Sequence, residues 1–147
     1  QGAIATNIIR KLRDAAVRNL IAQGDPFWLA VAENVVRSRH RWHQSTRIQI
    51  SAMRSLRRRR DDPSLSETEG RNLQRLLEES VLWKLDEGTG EEFRTLAGIA
   101  KAIATPAFLA NLERKIEDGA TRSIRVNAKR LLDFVRGKPY TRYRDAD

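Results

Sequence analysis

Residues 26–60 read PFWLAVAENVVRSRHRWHQSTRIQISAMRSLRRRR, 35 residues without a single glycine or proline. Asp25 before Pro26 is a good helix N-cap followed by a good first helical residue. The segment therefore predicts a helical arm of about 50 Å at 1.5 Å per residue, with a possible break near Ser45-Thr46, where helix propensity dips. At 100° per residue Trp28, Val35, Trp42, Met53 and Leu56 fall in one sector. Arg37, His40, Arg41, Arg47, Arg54 and Arg58 gather in another. One face can pack on protein while the other meets solvent or a polyanion.

Outward from this segment the chain keeps reading as helix. Ile8, Ile9, Leu12, Ala15, Ala16 and Leu20 recur at three- and four-residue steps, and Gln23-Gly24 ends that first helix. Asp62-Pro63 repeats the cap-and-proline start, and Ser66 with Glu69 offers a capping box. Leu73, Leu76, Leu77, Val81 and Leu85 then form an apolar stripe that stops at Gly88. Thr89 with Glu92 offers a second capping box, followed by Phe93, Leu96, Ala97, Ala100 and Ile103 on one face. Thr105-Pro106 opens a helix with Leu109, Leu112 and Ile116, closed by Gly119. A last helix, from about Thr121 to Val135, carries Ile124, Ala128, Leu131 and Val135 and is stopped by Gly137 and Pro139. No stretch alternates in the manner of a strand. The expected fold is all-α: a basic helical arm over residues 1–62, a bundle of about four helices over 63–137, and a short basic tail over 138–147.

Charge is distributed in blocks. Residues 1–60 carry a formal +10, residues 61–121 carry −6 and residues 122–147 carry +5, within a total of +9. Such asymmetry points to a polyanionic or acidic partner for one part of the molecule. Arginine outnumbers lysine by 22 to 6. The planar guanidinium fork suits phosphate and never loses its charge. A high-GC genome would produce the same bias, and a solvated cationic helix or a membrane-surface helix is the plain alternative. The candidate nucleic-acid-binding residues are Arg10, Lys11 and Arg18 on the first helix, with Arg37, Arg39, His40, Arg41, Arg47, Arg54, Arg57, Arg58, Arg59 and Arg60 on the arm. Asn and Gln, which read adenine, are scarce there, so backbone binding without sequence preference is expected.

Other chemistry finds little support. The chain has no cysteine, which excludes disulfides and thiolate metal sites. His40 and His43 stand three apart with no cysteine and no nearer acid than Glu33, so neither metal nor cofactor is expected. The pairs Glu78-Glu79, Asp86-Glu87 and Glu91-Glu92 are sequence neighbours, which point about 100° apart on a helix and form no acid–base dyad. No phosphate-binding glycine loop, nucleophile elbow or HExxH motif occurs. The chain reads as non-enzymatic, with no small-molecule substrate. Its longest uncharged apolar run, Pro26 to Ala32, is far short of the roughly 20 residues that a membrane span needs.

A cysteine-free, all-α chain with an Arg-rich N-terminal arm and a C-terminal bundle resembles, in architecture, the major coat proteins of filamentous and rod-shaped archaeal viruses with linear double-stranded DNA. The resemblance implies a virion protein that assembles with itself or with a related second coat subunit. Its arms would wrap the duplex and hold it in A-form. Arg37, Arg41, Arg47, Arg54 and the Arg57–Arg60 run would then lie on DNA, and residues 64–135 would form the outer wall. Gln1 in place of an initiator methionine would fit a trimmed coat protein. Two other classes fit the same residues. One is a cytoplasmic, nucleoid-associated regulator with a helix-turn-helix between Gly88 and Gly119. The other is an adaptor whose basic arm docks an acidic protein.

Overall fold

A computed structural model describes residues 11–12, 15–20, 23, 26–37 and 46–138, with the side chains of residues 26–28, 46 and 47 excepted. Every regular element among them is helical, and no strand occurs among the described residues. Residues 15–20 are helical. Beyond them the labelled helices are α1 (Pro26–Arg37), α2 (Thr46–Arg60), α3 (Glu67–Glu87), α4 (Phe93–Ile103), α5 (Pro106–Asp118) and α6 (Arg122–Val135). A turn of 3-10 helix, Gly90–Glu92, leads into α4. No helix among the described residues is long and apolar enough to cross a membrane. The chain divides into two units, residues 1–70 and 71–147, and the division falls inside α3.

In the N-terminal unit α1 packs on α2. Pro26–Arg37 and Thr46–Arg60 are thus two helices laid against each other and not one 50 Å rod; the second starts at Thr46, beside the expected break, and residues 38–45 lie outside the described residues. The physical reason is apolar. Ala32, Val35 and Val36 on α1 and Ile48, Ile50, Ala52, Met53 and Leu56 on α2 are all buried, a coverage a lone rod would not provide. Proline starts α1 as expected; the Asp25 cap lies outside the described residues. The first-helix stripe departs from expectation in part, and its Ile8 and Ile9 lie outside the described residues. Leu12 is 66% exposed and Ala16 is exposed, whereas Ala15, Val17 and Leu20 are half-buried.

The α2–α3 connection shows how two competing signals resolve. Asp62-Pro63 does not start a helix. The Asp62 carboxylate instead accepts from the Ser64 backbone N–H at 2.9 Å and from the Ser64 hydroxyl at 2.8 Å, which makes a turn. The helix starts at the capping box: Glu69 N–H donates to Ser66 Oγ at 3.2 Å, and Ser66 N–H donates to Glu69 Oε2 at 3.4 Å.

The C-terminal unit is built around α6, which packs on both α4 and α5. All five expected α3 leucine and valine positions are buried, as are Phe93, Leu96, Ala97, Ala100 and Ile103 on α4. On α5 the centre is Phe108 with Leu112, and on α6 it is Ala128, Leu131 and Leu132; Leu109, Ile116, Ile124 and Val135 are only half-buried. Polar ties join α3 to α5 and to the α4–α5 connection. Gln74 donates to the Ile103 carbonyl at 2.7 Å, the Thr105 hydroxyl donates to Glu78, and Lys115 reaches Asp86 at 2.7 Å. Thr105 and Thr121 cap α5 and α6, accepting from Phe108 N–H and Ile124 N–H at 3.1 Å each. The expected Thr89–Glu92 capping box does not form: Thr89 makes no side-chain cap bond, and the turn is a 3-10 turn with Glu92 N–H on the Thr89 carbonyl.

Candidate nucleic-acid interface

Helix α2 carries most of the described candidate residues: Arg54, Arg57, Arg58, Arg59 and Arg60. Taken at 100° per residue, its buried positions Ile48, Gln49, Ile50, Ala52, Met53, Ser55 and Leu56 cover most of the circumference. What remains is a strip about 60° wide that holds Ser51, Arg54 and Arg58. Arg54 and Arg58 are exposed and Ser51 is half-buried. Neither Arg54 nor Arg58 has an ion-pair partner among the described residues. Arg47 shares their register along the helix.

The last turn of α2 is Arg57-Arg58-Arg59-Arg60, four cations where the helix dipole places partial negative charge. Three of them turn away from the strip and are half-buried. Arg57 lies on the Ile50–Met53 side, 3.6 Å from Asp61. Arg59 lies on the Ile48–Ala52 side and donates to Asp62 at 2.8 Å. Arg60 lies on the Gln49–Leu56 side and donates to Asp61 at 2.8 Å, its side chain 19% exposed. Hydrogen bonds from the Ser64 backbone and then the Ser64 hydroxyl, with a smaller contribution from Arg59, hold the Asp62 carboxyl below the usual carboxylate range. Asp62 is thus a firm anion at neutral pH.

The other expected residues take separate places. Lys11 is exposed. Arg18 is half-buried, and its Nε lies inside the protein without a hydrogen-bond partner, so its stem packs rather than reaching outward. Arg37 is exposed and pairs with Glu33 at 2.9 Å. Arg10, Arg39, His40, Arg41 and His43 lie outside the described residues, as do the Arg47 and Trp42 side chains and the 139–147 tail. No group of His, Asp and Glu among the described residues could hold a metal ion.

Sequence reading passed over a second polar region. A cleft of about 740 Å³ in the C-terminal unit is lined by the Gly88-Thr89-Gly90 turn, Arg94, Asn127 and Arg130, among others. Gly88 and Gly90 hold φ of +122° and +54°, a left-handed region that glycine enters freely. Arg130 is 9% exposed. Its guanidinium stacks 4.2 Å from the Phe93 ring centroid and donates to Asn127 Oδ1 at 3.0 Å. The available signal was the helical spacing of Ser123, Asn127 and Arg130 on α6. Lys84 was missed as well. It is 1% exposed, beneath Trp83 at 5.2 Å and 3.3 Å from Glu87.

The chain matches no protein-family model, no curated protein and no solved structure.

Proposed function

We propose that this chain binds the sugar-phosphate backbone of double-stranded DNA without reading its sequence, and that copies of it package the duplex as a structural coat subunit. The observation that carries the reading is the exposed arginine strip on α2, set in a sixty-residue segment of net charge +10. Arginine in this position offers phosphate a bidentate fork, and the strip offers no amide side chain for a base edge. The virion setting and the partner subunit rest on the architectural resemblance to archaeal virus coat proteins. Exposed acids of the C-terminal unit, Glu79 and Glu117 among them, offer a second copy's arginines a complementary surface. A repeated head-to-tail contact of that kind propagates into a filament. Glu78 is half-buried and one of its oxygens already accepts the Thr105 hydroxyl, so less of its carboxylate is open to a second copy.

The test is a salt titration of binding to duplexes of unrelated sequence, with electron micrographs of the mixtures. A backbone binder weakens steeply with salt, with a slope near 0.9 per phosphate contact, equally for every sequence. Filaments should appear on mixing. A regulator would instead retain one preferred sequence at moderate salt. An adaptor would not bind either duplex, and single particles at every ratio would remove the packaging role.

A further inference from the structure

The α2 strip settles which arginines can touch a duplex and how many strands they can reach, on the reading that this face binds DNA. A helix with its side chains is about 10–12 Å across. The major groove is about 12 Å wide. A helix that fills the groove needs a broad exposed face, wide enough to meet its floor and both walls. Helix α2 has no such face, because Ile48, Ala52 and Ser55 are buried on one flank of the strip and Ile50 and Met53 on the other. Its free line presents Arg54 and Arg58, about 6 Å apart along the axis, with Arg47 in the same register two turns earlier. Charges on one strand rise by about 3.4 Å each along the duplex axis.

We infer that α2 lies along a single sugar-phosphate strand and contacts it through Arg54 and Arg58, while Arg57, Arg59 and Arg60 make no phosphate contact. The Arg57–Arg60 run looks in sequence like one cationic block. In the structure it divides by side of helix. Arg58 shares the strip with Arg54. Arg57, Arg59 and Arg60 leave from the packed sides, half-buried, with Asp61 and Asp62 within 2.8–3.6 Å. Swinging any of them to a phosphate on the strip would mean leaving a carboxylate and carrying the guanidinium around the helix. Carboxylate and phosphate compete for the same planar fork, and here the carboxylates belong to the very next residues of the chain. The Asp62 turn, anchored by Ser64, fixes one of them in place. The contact is therefore narrow, confined to one line of this helix, and blind to sequence.

The experiment is the salt dependence of duplex DNA binding by the full chain, for wild type, R54A/R58A and R57A/R59A/R60A. The double variant should lose about 1.8 from the slope of log K against log salt, two contacts at about 0.9 each. A fourfold rise in salt then weakens it about tenfold less than wild type. The triple variant should keep the wild-type slope. A triple variant that loses as much slope as the double one overturns the assignment while leaving DNA binding intact. A wild type that binds no duplex at any salt overturns the underlying reading and this inference with it. Because the triple variant removes half-buried side chains, a second measurement uses wild type alone. Modification by an arginine-specific dicarbonyl, read by mass spectrometry, should show DNA protecting Arg54 and Arg58 and leaving Arg57, Arg59 and Arg60 unchanged. Protection of Arg57, Arg59 or Arg60 overturns the assignment directly.

Discussion

The two units use charge in opposite ways. The ion pairs described in the N-terminal unit are local: Arg37 with Glu33, Arg57 and Arg60 with Asp61, and Arg59 with Asp62. They tie a helix to its own turn. In the C-terminal unit charged side chains also cross between helices. Lys115 on α5 reaches Asp86 on α3, and Arg136 after α6 reaches Glu113 on α5 at 2.6 Å. Lys101 on α4 sits 5.5 Å from the Phe134 ring on α6, and Arg130 stacks on Phe93. The lesson is that a cation without a carboxylate partner among the described residues, such as Arg54 or Arg58, remains available to an outside anion, whereas one answered by its neighbours in sequence is tied to its own turn. One held between two helices is part of the fold.

The largest expected effect tests whether the C-terminal unit depends on its apolar centre rather than on those crossing charges. Leu112 is 0% exposed where α5 meets α6. Leu112→Ala should cost about 2–5 kcal/mol, read as a lower urea midpoint with Trp83 fluorescence as the reporter. A shift under 1 kcal/mol would mean that the centre is looser than its burial indicates.

Next come the two threonine caps, which sharpen the difference between local and crossing bonds. Thr105→Val removes a cap and also the partner of Glu78 on α3. Thr121→Val removes a cap alone. Each lost cap costs about 1 kcal/mol, and the Glu78 bond should add roughly as much again. Equal losses in the two variants would show that the crossing bond contributes nothing.

Smaller still is the crossing ion pair itself. The Lys115 side chain is 20% exposed and Asp86 53%. Lys115→Met should cost no more than about 1 kcal/mol, less at high salt. A loss of several kcal/mol would reverse the ranking of apolar and charged contributions in this unit.

The smallest effect lies at the Asp62 turn of the N-terminal unit. Its folded pKa is lowered by the Ser64 bonds, so its contribution is present above the ordinary carboxylate pKa. It is lost as pH falls from there through the lowered value. Asp62→Asn, which keeps an acceptor for Ser64, should flatten that part of the acid-unfolding profile of the N-terminal unit. An unchanged profile would show that the turn is indifferent to the charge.

Helix positions were readable because they are decided within four or five residues. Pro26, the Ser66–Glu69 box, Gly88, Thr105-Pro106 and Gly137 all mark ends where the structure has them. Even there the mechanism differed in places. Gly137 stops α6 with φ of +83°. Gly119 closes α5 without a left-handed backbone: a Cβ there would lie 2.6 Å from the Lys115 carbonyl oxygen, so close approach, not φ, excludes larger residues. The arginine face was only half readable. Helical arithmetic placed Arg54 and Arg58 together, but it did not show that the neighbouring candidates Arg57, Arg59 and Arg60 are half-buried beside Asp61 and Asp62, or that the Arg18 Nε lies inside the protein.

What the sequence determined by itself is the helical class, most helix ends and the sign of each block's charge, since capping, periodicity and net charge depend on near neighbours or on none. The tertiary structure decided that α1 and α2 pack together. It also decided that α2 keeps one free line, and that Lys84 and Arg130 lie inside. Those outcomes depend on which distant surfaces meet and on how much water they exclude. No local pattern carries that information.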